Sequence, residues 1–353
     1  MRKPSDVTST GVTRRTLLAG AAALGSTLAA PGLVRAADNE VVFATWGGSW
    51  EAAMRKAWFE PFRAKTGIAV KTVSGNTYGK IEAMVTSGRT EWDVVESLSS
   101  FPYIGEKKGL LTPVDYSIVD KSVVANPDMI TPYSIPQVLF SDVMTYSTKL
   151  SPAPKNWADM FDTKTFPGKR TFDGTQIATV IEAALLADGV APNALYPIDV
   201  PRALKKLSAI RRDIQFYATN AQGQQYLSDG QCTVGMLPDG RALSIKNNGA
   251  PVNLAFGASI MSWTSLSILK GAPNASAAQK LLAYTLTPEA QAEVAKIYTY
   301  GPVVPKAMDL IPAERRTMLS GGPHMKDAVL RNEKWWSDNL AMVSEKFDAW
   351  KLG

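Results

Sequence analysis

The chain has 353 residues, 45% of them hydrophobic and 9% aromatic, with 38 Lys and Arg against 32 Asp and Glu for a formal charge of +6. That is enough apolar material for one large core or, more readily, two. Arg2, Lys3, Arg14, Arg15 and Arg35 against Asp6 put a net +4 in the first 36 residues and leave only +2 for the rest, so no basic face for nucleic acid is expected. One cysteine and one histidine, Cys232 and His324, exclude an intrachain disulfide and leave little material for a zinc site, a Ser-His-Asp triad or a Cys-His dyad.

The opening segment, 1–36, reads as an export signal. Arg14-Arg15 ahead of a mild Ala/Leu/Gly run resembles a twin-arginine signal, although Leu17 stands where that pattern usually has Phe; the general export route is the alternative. The run is too short to span a bilayer. "LVRAADNE" offers small residues for cleavage at Ala36/Ala37, and the mature protein is expected to be soluble and periplasmic, without a lipid anchor because no Cys follows.

A first strand over Val41–Ala44 runs into "TWGGSW", which places Trp46 and Trp50 on either side of Gly47-Gly48. Ala53, Met54, Ala57, Trp58 and Phe62 then recur at helical spacing, with Ser49 as the expected N-cap and Glu51 suited to the positive end of the helix dipole. A strand over Ala69–Ser74, a helix over Tyr78–Ser87, a strand over Trp92–Val95 and a helix ending near Lys108 follow. Glu96, Ser97, Ser99, Phe101 and Tyr103 would lie just past that last strand.

"IPQVLFSDVMTYSTKL" is a long β-favourable stretch, read as a crossing between lobes near Ser141–Ser147. Beyond it come the helix "NWADMFD", the turn "FPGK", a strand at Arg170–Phe172, a helix over Ile177–Leu186, a basic helix over Pro201–Arg212, a strand at Ile214–Tyr217 and the unit "NAQGQQYLSDGQCTVGML". "VNLAFGASIMSWTSLSIL" reads as the return crossing. The tail is helical over Ala275–Thr285 and Pro288–Ile297, then in an amphipathic end with Trp335, Trp336, Leu340, Phe347 and Trp350 expected to pack. Cys232 reads as an inert core thiol and His324 as a surface or helix-start residue.

In this order "FEPFRAKTGI", "EWDVVESLSS", "KKGLLTPVD", "VMTYSTKL", "NWADMFDTKTFPGK", "DGQCTVGML", "LLAYTLTPEAQAEVAK" and "GPVVPKA" resemble the solute-binding proteins of ABC importers, near the spermidine/putrescine-binding branch. The resemblance covers essentially the whole mature chain. It implies an α/β, two-lobed periplasmic-binding-protein fold, with two crossover strands and a ligand cleft between the lobes at the carboxyl ends of the strands. The expected division is 37–143 for the first part of lobe 1, 144–256 for lobe 2, and 257–353 for the return to lobe 1 and the helical tail. The implied partners are a small solute and an inner-membrane ABC permease, with a monomeric protein, no cofactor, no metal and no catalysis; an exported enzyme is the other class, disfavoured by the absence of metal-ligand clusters, GxGxxG or P-loop patterns.

The expected ligand-binding residues are Trp46, Gly47, Gly48, Glu96, Ser97, Asp173, Asp239, Arg241, Trp263 and Thr264. Gly47-Gly48 would let backbone approach the ligand without a Cβ. Where polyamine-binding relatives carry an acidic pair, Gly174 and Ile177 fall here, and Thr264 stands where a further acid would be expected, so a multiply charged amine lacks partners. A lone Arg beside carboxylates suits instead a solute with an amine and a carboxylate, an amino-acid derivative or opine-like compound. Several have a structural alternative: Trp46 packing under a loop, Glu96 as a surface-loop acid, Asp239 as the start of a Pro-Asp-Gly turn, Arg241 in a surface ion pair, and Asp173 as a helix cap; Tyr300 either faces the cleft or packs the tail.

Overall fold

The computed structural model describes residues 39–124 and 126–353. The expected export signal at 1–36 lies outside the described residues. Ten strands occur among them: β1 Glu40–Thr45, β2 Ala69–Ser74, β3 Val94–Leu98, β4 Leu111–Thr112, β5 Ile135–Ser147, β6 Arg170–Asp173, β7 Ile214–Tyr217, β8 Val234–Pro238, β9 Val252–Leu269 and β10 Val329–Leu330. They join in one sheet of order β2-β1-β3-β9-β5-β8-β6-β7, with β4 and β10 attached to β9.

The middle of that order explains the architecture. The β1–β2 and β1–β3 pairs are parallel, as are β6–β7 and β6–β8, so each end of the sheet is a small α/β layer with helices between its strands. β5 and β9 run antiparallel to each other along nearly their whole length and belong to both ends: β9 pairs β3 through Thr264–Ile268, while β5 pairs β8 through Asp142–Tyr146. These are the two crossing strands, and the first of them spans 13 residues rather than only its Ser141–Ser147 half.

The apolar core divides accordingly. Phe43, Met54, Trp58, Phe62, Ile135, Leu266 and Leu281 pack in one cluster, and Phe172, Ile181, Leu185, Leu207, Val234 and Met236 in another. The C-terminal helix Glu333–Leu352 sets its apolar stripe, Trp336, Val343 and Phe347, into the second cluster. The helix after β1 is compound: Gly48–Met54 is α-helical, Arg55–Phe59 widens to a π-helix, and Glu60–Thr66 resumes the α form. The wider turn carries Ala57, Trp58 and Phe59, all three buried. No helix of the described residues is long and apolar enough to cross a membrane.

Several boundaries differ from the sequence reading. β3 starts two residues later and ends three residues later than expected, because its antiparallel pairing with β9 continues through Leu98–Thr264. Glu96 and Ser97 are therefore inside the strand. The basic helix closes at Ser208, followed by a 3-10 turn over Arg211–Asp213. Ser49 does not cap the first helix: Gly47 holds the cap position without a side-chain bond, and Ser49 sits within the first turn. Cys232 is fully buried just before β8, and burial pushes its thiol up to about 11.

Candidate functional site

A cavity of about 540 Å³ opens where the carboxyl ends of β1, β3, β6 and β8 face one another across β5 and β9. Its floor comes from the crossing strands. Phe140 and Asp142, two residues apart on β5, share one face, and Thr264 of β9 stands beside them. One wall comes from Trp46 and Leu98 of the first α/β layer, the other from Asp173, Met236 and Arg241 of the second.

Trp46 is the exposed half of the tryptophan pair and lines the cavity, whereas Trp50 is buried. The reason is Glu96. Its fully buried carboxylate accepts hydrogen bonds from Thr45 Oγ1 (2.6 Å), the Trp46 backbone N–H (2.6 Å), Trp50 Nε1 (2.9 Å) and Gln137 Nε2 (3.2 Å). Burial raises its pKa above the ordinary carboxylate range, and the hydrogen bonds pull the other way. Glu96 is thus neither a loop acid nor a cavity wall; it is the post to which the "TWGGSW" turn is tied. Gln137 extends the tie by accepting from Thr264 Oγ1 at 2.8 Å, which joins the turn to the cavity floor.

Gly47 and Gly48 serve this turn through their conformation. Both have positive φ, 78° and 67°, and a Cβ on Gly47 would meet Ser74 Oγ at 3.3 Å. Neither is among the lining residues, so the expected reason, close backbone approach to a ligand, is replaced by backbone geometry. Ser97 points away, buried, its hydroxyl without a partner. Trp263 also leaves the site: as the strand neighbour of Thr264 it faces the other side of the sheet, packs in the first core and borders a separate cavity with Tyr103 and Glu333.

Asp173 does not cap the helix Ile177–Ala187, whose cap position is Gln176; it closes the turn ahead of it. It lines the cavity while accepting from Thr175 N (2.7 Å), Thr175 Oγ1 (2.6 Å) and Gln176 N (2.9 Å). Asp239 is the first residue of the helix Asp239–Asn247, not of a plain turn, and is wholly buried. It accepts from Gly240 N at 2.7 Å and from the Ser320 hydroxyl, and burial pushes it up to about 7. Its neighbours Gly240 and Arg241 reach the cavity; Asp239 does not. Tyr300 lines the cavity too, its ring 4.8 Å from Tyr298 and 5.1 Å from Trp50.

Three charged lining residues are absent from the sequence reading. Asp142, half-buried on β5, accepts from Thr179 Oγ1 at 2.6 Å; desolvation raises its pKa, opposed by Arg331 3.6 Å away. Arg331 lies among Glu182 (3.2 Å), Glu333 (3.6 Å) and Asp142, whose charges outweigh the burial that disfavours its own. Arg315 donates Nε to the Ala295 carbonyl at 2.9 Å, and burial lowers its pKa. Neither Arg241 nor Arg315 has an ion-pair partner among the described residues. The cavity therefore has two guanidinium groups without ion-pair partners, and an acid-rich end where Asp142 and Asp173 lie near each other.

Residues 57–317 match the family of bacterial extracellular solute-binding proteins. The chain belongs to that family. Among the solute-binding proteins it is similar to the γ-aminobutyric acid-binding protein of Pseudomonas aeruginosa, 30% identical over 92% of this chain and 94% of the relative. It is less similar to the spermidine/putrescine-binding periplasmic protein of Escherichia coli, 24% identical over 92% and 93%. Among solved solute-binding proteins, the Atu4243 γ-aminobutyric acid receptor superposes with a TM-score of 0.81 at 35% identity, over 89% of this chain and 98% of that one. AgtB of A. tumefaciens R10, solved with agropinic acid, gives 0.73 at 29% identity, over 89% and 99%. The two-lobed fold with a ligand cleft is thus shared with these solute-binding proteins, and the branch with the greater identity is not the polyamine one.

Proposed function

We propose that this solute-binding protein is the periplasmic receptor of an ABC importer for a small solute carrying both a carboxylate and an amine, of the γ-aminobutyrate or opine type. The observation that carries the reading is the division of charge around the cavity: Arg241 and Arg315 without acid partners, against Asp142 and Asp173. A guanidinium grips a carboxylate by two parallel hydrogen bonds, and partly desolvated carboxylates favour an ammonium. Trp46, Tyr298 and Tyr300 offer ring faces for the chain between the two charges. A cavity of about 540 Å³ lies within the range that small-molecule sites occupy. A polyamine would face two guanidinium groups without ion-pair partners, and this disfavours it.

The protein acts in this reading as a soluble monomer without enzymatic turnover, closing 37–143 and 257–353 against 144–256 about β5 and β9, and presenting the closed form to a membrane permease. Isothermal calorimetry on the mature chain tests it. γ-Aminobutyrate or an opine is expected to bind saturably, and putrescine not to. Arg315→Ala should weaken the carboxylate-bearing ligand by roughly tenfold to a hundredfold, the loss of a charged hydrogen-bond donor. Saturable putrescine binding with no response to any zwitterion would overturn the proposal.

A further inference from the structure

We infer that Arg331 is a built-in cation which fills the acid end of the cavity and restricts the solute to a single ammonium group. This rests on reading the cavity as a site for one amine and one carboxylate. The side chain is 9% exposed and lies at the junction of three cavities: the main one, a neighbouring one of about 100 Å³, and the rear one of about 410 Å³ bordered by Trp263. It lines all three: Leu98, Phe140 and Gln176 share with it the wall between the first two, and Arg331 is the residue the main and rear cavities have in common.

Charge points the same way as shape. Asp142, Glu182 and Glu333 lie within 3.6 Å of Arg331, and Asp173 lines the same end of the cavity. Three acids meet one fixed cation, and Asp173 adds a fourth negative charge beside Asp142. Each of the other acids has its own hydroxyl or N–H donors: Glu182 accepts from Tyr196 Oη and from Trp336 Nε1 (2.7 Å), and Glu333 from Ser262 Oγ. Arg331 is the cationic partner common to them, held also by its backbone N–H bond to the Met261 carbonyl (2.9 Å) and by a side-chain bond to Thr179 Oγ1. At Asp142 it stands at 3.6 Å, with the Thr179 hydroxyl bonded to both, and Asp142 keeps a face on the main cavity where one ammonium can approach it. A second ammonium on the same solute would have to sit where the guanidinium is. Without Arg331, both the charge and the space for a diamine would be present.

The test compares wild type, Arg331→Met, Arg331→Lys and the pair Arg331→Met/Glu182→Gln, using calorimetry with γ-aminobutyrate and with putrescine and far-UV circular dichroism for folding. Arg331→Met should bind putrescine about tenfold or more tightly than wild type does, the scale of one added charge pair in a partly buried site. Arg331→Lys should keep the wild-type preference. If Arg331→Met does not fold, the pair, which removes one charge of each sign, carries the same expectation. A folded variant with an unchanged putrescine response, or a wild type that already binds putrescine tightly, overturns the inference. Absence of any zwitterion binding by wild type would count against the proposed function alone, since the change in putrescine response is still measured.

Discussion

Burial raises the pKa of both Glu96 and Asp239, but the two buried acids do different work. Glu96 receives four hydrogen bonds and holds a loop, whereas Asp239 has two donors and sits at about 7 because of burial. Between the ordinary 3.8 and that value the folded state keeps a proton the unfolded chain has released. Its contribution to stability therefore falls as pH rises through that window and is level above it. Asp239→Asn should remove this slope, leaving the variant favoured over wild type by roughly 2–4 kcal/mol more at pH 8 than at pH 4 in urea unfolding. Unchanged slopes would show that Asp239 titrates normally. Asp142 and Glu182 each carry a sequence signal: a lone acid inside "VLFSDVMTY" and another inside "ATVIEAALLA". Arg315, in "AERR", reads like any solvated charge run, and only the Ala295 carbonyl and the cavity set it apart.

Elements were legible where their period was strong and misplaced where pairing partners are distant. The helices Ala275–Thr285 and Pro288–Ile297 lie where apolar spacing and the Pro at the first turn put them. β3 lies toward the C-terminal side of its expected position because the residues that extend it, on β9, are about 170 positions away in sequence. The C-terminal helix shows local and tertiary information together: its stripe was visible, its partner was not. Phe347 is fully buried in the second core against Phe216 and Trp350. Phe347→Ala should cost about 3–5 kcal/mol in chemical denaturation, the usual loss for a buried aromatic. A cost under about 1 kcal/mol would mean that the helix does not need this anchor.

At the scale of the molecule, β5 and β9 couple the two ends of one sheet, so a cleft between them changes width only by bending these strands. The solute-binding reading then predicts that saturating γ-aminobutyrate lowers the radius of gyration in small-angle scattering; an unchanged curve with demonstrated binding would exclude closure. The amino-acid sequence by itself determined the alternation of strands and helices and the long β-favourable stretches that became β5 and β9, since periodicity and turn chemistry are local properties; Trp46, Asp173, Arg241 and Thr264, singled out with the help of the family resemblance, all line the cavity. Only the tertiary structure decided that Glu96 supports the site from beneath, that Trp263 faces away from it, and that Arg315, Asp142 and Arg331 belong to it. Burial and charge pairing arise between residues far apart in the chain, and strand pairing alone settles which face of the sheet each one occupies.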